Sequence, residues 1–118
     1  MNRMAEIRDI QAADLDTELG GTSGPVVVEF WIRSCDACRR FKPVYDRLPE
    51  AMGRVRFLRL NMMGSIENLR MAEGMGVEET PTTKVFCRGE EVGEIVGYRS
   101  LEEAVREIEG ALRGTDCS

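Results

Sequence analysis

The feature that most restricts the fold of this chain is one junction. The run Val26-Val27-Val28-Glu29-Phe30-Trp31 leads within four residues to Cys35-Asp36-Ala37-Cys38 and then to an amphipathic segment. A near-continuous apolar run of this kind reads as a strand covered on both faces, as at the centre of an α/β sheet. Alternation along it puts Val27, Glu29 and Trp31 on one face and Val26, Val28 and Phe30 on the other. Downstream, Cys38, Phe41, Val44, Tyr45 and Leu48 recur at three- and four-residue spacing, with Arg39, Arg40, Asp46 and Arg47 on the other side, which predicts a helix. Pro43 falls inside that helix and is expected to kink it by removing a backbone donor.

The remaining segments extend the same pattern. Gly20-Gly21-Thr22-Ser23-Gly24-Pro25 is a loop, Val55 to Leu60 a second strand, and Ser65 to about Glu73 a weaker helix stopped by Gly74 and Gly76. Thr83–Cys87 and Glu91–Val96 flank Arg88-Gly89-Glu90 as a hairpin. Ser100 and Glu103 form a capping box for a last helix with Leu101, Ala104, Val105, Ile108 and Leu112 on one face. Glu6 to Ile10 reads as a short edge strand and Asp14 to Leu19 as a helix. The order β-α-β-α-β-α-β-β-α predicts one α/β domain over residues 1–118. Helices cover both faces of a sheet that is parallel at first and ends in an antiparallel hairpin.

Composition removes several classes of function. A net charge of −5 argues against a phosphate-binding surface, so nucleic acid is not an expected partner. The opening residues carry charges where a signal peptide needs an apolar stretch, and no run is long enough to span a bilayer, so a cytoplasmic chain without membrane contact is expected. With no histidine, Cys–His pairs, Ser–His–Asp triads and His-containing zinc sites are excluded. Four cysteines in 118 residues are too few for a disulfide-stapled secreted scaffold.

The chemistry therefore falls to Cys35 and Cys38. At a helix start, unpaired amide donors and the helix dipole favour a thiolate on Cys35. Cys38 faces the same side one turn later, close enough to bond to it. Cys35 is expected to attack a substrate disulfide and Cys38 to resolve the mixed disulfide from beneath. Glu29, between two apolar faces, is expected to be buried with a raised pKa, suited to exchanging a proton with Cys38. Arg59 shares a face with Val55 and Phe57 and can pair with Glu29 across neighbouring strands, either for catalysis or as a structural ion pair. Cys87 reads as a small buried core residue, Cys117 as part of a frayed tail, and Met62, Met63, Met71 and Met75 as packing.

Over nearly its whole length the sequence resembles the thioredoxin family. The resemblance rests on Glu29 through Cys38, Pro43, Arg59-Leu60-Asn61, Thr80-Pro81-Thr82, Gly89 and Val96-Gly97 in that order and spacing. It implies the thioredoxin fold, with a mixed sheet of four to five strands. It also implies a cis bond between Thr80 and Pro81, and a peptide-docking surface of Ser34, Thr80, Pro81 and Gly97 beside the dithiol. Reduction of protein disulfides by a monomer is implied, with no bound cofactor beyond the Cys35–Cys38 disulfide and with a thioredoxin-reductase-like enzyme to recharge it. Four departures stand out: Ser34 replaces the usual Trp, Asp36-Ala37 the usual Gly-Pro, Glu29 the usual Asp and Arg59 the usual Lys. Asp36 disfavours a thiolate on Cys35, whereas Arg33, Arg39 and Arg40 favour it. A less apolar Ser34 implies a narrower range of partners. A non-catalytic binding module or redox sensor is the competing reading. A zinc site would need Cys87 and Cys117 to join the pair.

Overall fold

The computed structural model describes residues 6–21 and 24–117; the opening residues, and Thr22 and Ser23 of the predicted loop, lie outside that range. In chain order the elements are β1 (Arg8–Asp9), α1 (Ala12–Gly20), β2 (Pro25–Trp31), α2 (Asp36–Tyr45), α3 (Leu48–Ala51), β3 (Arg56–Asn61), a 3-10 turn (Met62–Gly64), α4 (Ile66–Gly74), β4 (Thr82–Cys87), β5 (Glu90–Val96) and α5 (Leu101–Leu112). The strands form one five-stranded mixed sheet in the order β1-β3-β2-β4-β5. β2 runs parallel to β3 and antiparallel to β4, so the most apolar strand is the central one.

Alternation along β2 divides the interior as the sequence predicts. Val27 packs with Phe41 and Tyr45 of α2, Phe57 of β3 and Ile108 of α5. Val26, Val28 and Phe30 pack on the opposite face with Leu15 and Leu19 of α1, Leu58 and Leu60 of β3 and Ala72 of α4. Two apolar layers thus sandwich the sheet, each covered by helices. Helix α5 comes so close to β5 that a Cβ added at Gly93 would lie 2.4 Å from the Ala111 Cβ.

Two boundaries depart most from the sequence reading. The edge strand is only Arg8–Asp9, paired in parallel with Leu58 and Arg59 of β3. The helix after Cys35 ends at Tyr45 and resumes as α3, so Leu48 belongs to a separate turn. Pro49, near the start of α3, supplies the break, because its ring and missing N–H cannot continue α2 past the Tyr45 carbonyl. Pro43 lies inside α2, where the sequence places it. In the hairpin, Arg88 and Gly89 both have positive φ, 54° and 85°, as a tight two-residue turn requires.

The largest correction concerns the tail. Cys117 is not frayed: it is buried and bonded to Cys87 across 30 residues of chain, with Cα atoms 5.9 Å apart. Its carbonyl accepts from Arg54 Nη1 at 3.4 Å and its N–H donates to Thr115 Oγ1 at 3.1 Å. Cys87 is buried as expected, but as half of a disulfide. Two thiols so joined cannot complete a zinc site with Cys35 and Cys38, and no cluster of three metal-binding side chains occurs among the described residues.

Candidate functional site

Cys35 occupies the N-cap of α2 in an extended conformation, where its Sγ accepts the Cys38 backbone N–H at 3.1 Å. A cap position leaves amide donors without intrahelical partners, and here a sulfur takes one of them. Thr80 closes the other side: its Oγ1 donates to Cys35 Sγ at 3.3 Å, and the Cys35 thiol donates to the Thr80 carbonyl at 3.4 Å. On ionisation the second bond is lost while the donors to sulfur remain, so the site favours the thiolate. Burial alone would push the Cys35 thiol up, but hydrogen bonds from the Cys38 thiol, the Thr80 hydroxyl and the Cys38 and Ala37 amides outweigh it and bring it down.

Cys38, one turn on, has the opposite environment. Burial, then its hydrogen bond to Cys35 and the neighbouring sulfur's charge, push its thiol up to about 11. Both cysteines are free thiols, Cys35 half-buried and Cys38 buried. One sulfur is half-buried with its thiol brought down, and the other is buried one turn on with its thiol pushed up. Arg39 Nη2 forms an ion pair with Asp36, so the acidic residue between the cysteines is partly neutralised from its own helix.

Glu29 and Arg59 meet where the sequence places them. They are register partners on β2 and β3, with Arg59 Nε donating to Glu29 Oε1 at 3.1 Å. Glu29 is 2% exposed, and burial raises its pKa against the opposing charge and hydrogen bond of Arg59. A cavity of about 220 Å³ is lined by Glu29, Cys38, Trp31, Lys42, Arg39 and Arg59, so the buried carboxyl and the buried thiol open onto one space.

Of the four expected docking residues, Thr80, Pro81 and Gly97 are linked to one another and Ser34 precedes Cys35. The Thr80–Pro81 peptide bond is cis, and Gly97, at φ +91°, donates its N–H to the Pro81 carbonyl at 2.7 Å. That backbone conformation suits glycine. Ser34 is exposed in the bend before Cys35. The sequence reading missed Asp46 and Lys42. Asp46 Oδ1 accepts from Arg59 Nη2 at 2.8 Å and Oδ2 from Lys42 Nζ at 2.9 Å, which extends the Glu29 pair to the surface. Their i, i+4 spacing on α2 and its C-cap was the available signal, but it reads equally well as an ordinary solvated pair.

Comparison with known proteins follows the same lines. The family described as Thioredoxin matches residues 6–110. A thioredoxin of Synechocystis sp. is 36% identical over 84 residues, covering 70% of this chain and 71% of that protein. The chloroplastic thioredoxin M4 of Arabidopsis thaliana is 29% identical over 108 residues, 91% of this chain; the chain spans only 54% of that relative's length. Among solved structures, the short form of spinach chloroplast thioredoxin F superposes with a TM-score of 0.81 over 91% of this chain and 94% of that one. At 24% identity this likeness speaks for the fold.

Proposed function

This chain belongs to the thioredoxin family, and we propose that it reduces protein disulfides through a Cys35/Cys38 dithiol. The observation that carries the reading is the contrast between the two sulfurs: Cys35 is lowered and partly exposed, Cys38 raised and buried. The Cys35 thiolate attacks one sulfur of a substrate disulfide, forming a mixed disulfide and releasing the other substrate sulfur as a thiolate. Cys38 gives its proton to the Glu29 carboxylate and attacks Cys35 Sγ, which breaks the mixed disulfide and closes Cys35–Cys38. Two electrons have then passed to the substrate, whose thiolates take up protons.

Electrons are stored in the sulfur pair itself, with no bound cofactor, and a dithiol reductase of the thioredoxin-reductase kind returns the pair to the open state. Substrate backbone docks along Thr80, Pro81 and Gly97, with Ser34 at the rim. The second reading, a binding module or redox sensor, is not favoured by a site that separates an attacking from a resolving sulfur. The same proposal treats the chain as a cytoplasmic monomer. The Cys87–Cys117 bond pulls against that location, since such bonds are rare where glutathione keeps thiols reduced. Cell fractionation with trapping of thiol states, and sedimentation of the purified chain, test location and oligomeric state.

The decisive experiment compares the wild-type chain with Cys38→Ser on a disulfide-bonded protein. Wild type is expected to turn over, while the variant stalls as a covalent adduct on Cys35 that a reductant releases. No adduct and no turnover would sink the proposal.

A further inference from the structure

Arg59 divides its guanidinium between two carboxylates. Nε holds buried Glu29 at 3.1 Å, Nη2 holds half-exposed Asp46 at 2.8 Å, and the group lies 5.3 Å from the centroid of the Tyr45 ring. Asp46 is tied in turn to Lys42, on the helix that carries Cys38. A cation fully given over to Glu29 would hold it as a carboxylate and make it a poor base. A second carboxylate on the same cation weakens that grip.

We propose that Asp46 is a positioning residue for the resolving step: by taking one edge of Arg59 it leaves Glu29 free both to accept the Cys38 proton and to give it up again. The role rests on the oxidoreductase reading above. During resolution the Cys38 S–H bond breaks, its proton moves to Glu29, and the freed electron pair forms the bond to Cys35 Sγ as the substrate sulfur leaves. Glu29 then releases the proton to water in the shared cavity.

Among the described residues, the charged and titratable groups that face Glu29 all enter the balance. From β3 comes Arg59; from α2 and its end come Cys38, Lys42, Tyr45 and Asp46; Arg33 and Arg39 line the same cavity; and the register partner on β4 is the uncharged Thr83. Burial raises the Glu29 pKa, Arg59 lowers it by charge and hydrogen bond, Asp46 raises it and Lys42 lowers it. With Asp46 neutralised, Arg59 stays over Tyr45 and serves Glu29 alone.

The test compares wild type, Asp46→Asn and Asp46→Glu. The Glu29 carboxyl is titrated by carbon NMR in the reduced chain, and substrate release from a preformed mixed disulfide on Cys35 is followed against pH. In Asp46→Asn the Glu29 midpoint should move to lower pH. Release should be about two- to threefold faster below the wild-type midpoint and slower on the alkaline plateau, because Glu29 has become a weaker base. Asp46→Glu should restore both curves. A midpoint that stays put or moves upward, in chains that release substrate normally, overturns the assignment alone. A wild-type chain that never releases substrate overturns the oxidoreductase reading, and the role of Asp46 with it.

Discussion

Thr80 holds Cys35 from two sides at once, its hydroxyl donating to the sulfur at 3.3 Å and its carbonyl accepting from the thiol at 3.4 Å. Only the first contact survives ionisation, so one residue stabilises the thiolate while its other atom waits for the proton's return. The side chain that does this comes from the turn before β4, 45 residues from Cys35 in sequence.

Thr80→Val keeps the shape and the carbonyl but removes the donor. The Cys35 thiol should titrate at higher pH than in wild type, and its alkylation by iodoacetamide at neutral pH should slow about three- to tenfold. Ultraviolet thiolate titration of the same pair checks the cause.

Glu29→Gln should act in opposite directions on stability and activity. Because burial raises the folded-state pKa of Glu29 above its ordinary 4.5, the folded chain keeps a proton that the unfolded chain has already lost. The stability this confers is complete below the ordinary value and is lost as pH rises through the folded one. Gln, which carries no charge, should therefore be more stable than Glu at neutral pH in urea unfolding, with a flatter dependence on pH. Arg59 keeps Asp46 as a partner. Resolution should nevertheless fall about ten- to a hundredfold, because the base is gone.

Cys117→Ser should cost about 3.6 kcal/mol in chemical unfolding, the loop-closure contribution expected for a 30-residue separation. Turnover below the melting range should be unchanged, since neither Cys87 nor Cys117 touches the Cys35 site. Wild type unfolded in strong reductant should approach the variant.

Gly93→Ala sets a methyl against Ala111 and should destabilise by about 1–3 kcal/mol. Adding Ala111→Gly should recover much of the loss, and the coupling energy of the double-mutant cycle measures the contact.

Legibility in the sequence followed the range of the forces involved. The β2–α2 junction could be read because apolar continuity, the C-x-x-C spacing and helical periodicity are all local. Glu29 opposite Arg59 could be read because strand alternation carries a residue's face with it. The break between Tyr45 and Leu48 was missed because the periodicity continues in phase across it, while Pro49 ends the hydrogen bonding. Asp46 was assigned to the solvent side, and it is half-exposed; its link to Arg59 depends on how α2 lies over β3, which periodicity does not encode. Cys87 and Cys117 pair through the packing of the tail against the end of β4, and nothing in their neighbours' residue types announces it.

The pairing of Cys87 with Cys117 has a corollary for self-recognition. A chain proposed to open disulfides carries one of its own, which the attacking sulfurs of other copies would meet. Thiolate attack needs access along the sulfur–sulfur axis, and the two residues keep only 7% and 4% of their surface accessible. Concealed in this way, the Cys87–Cys117 bond is out of reach of an attacking thiolate for as long as the chain stays folded.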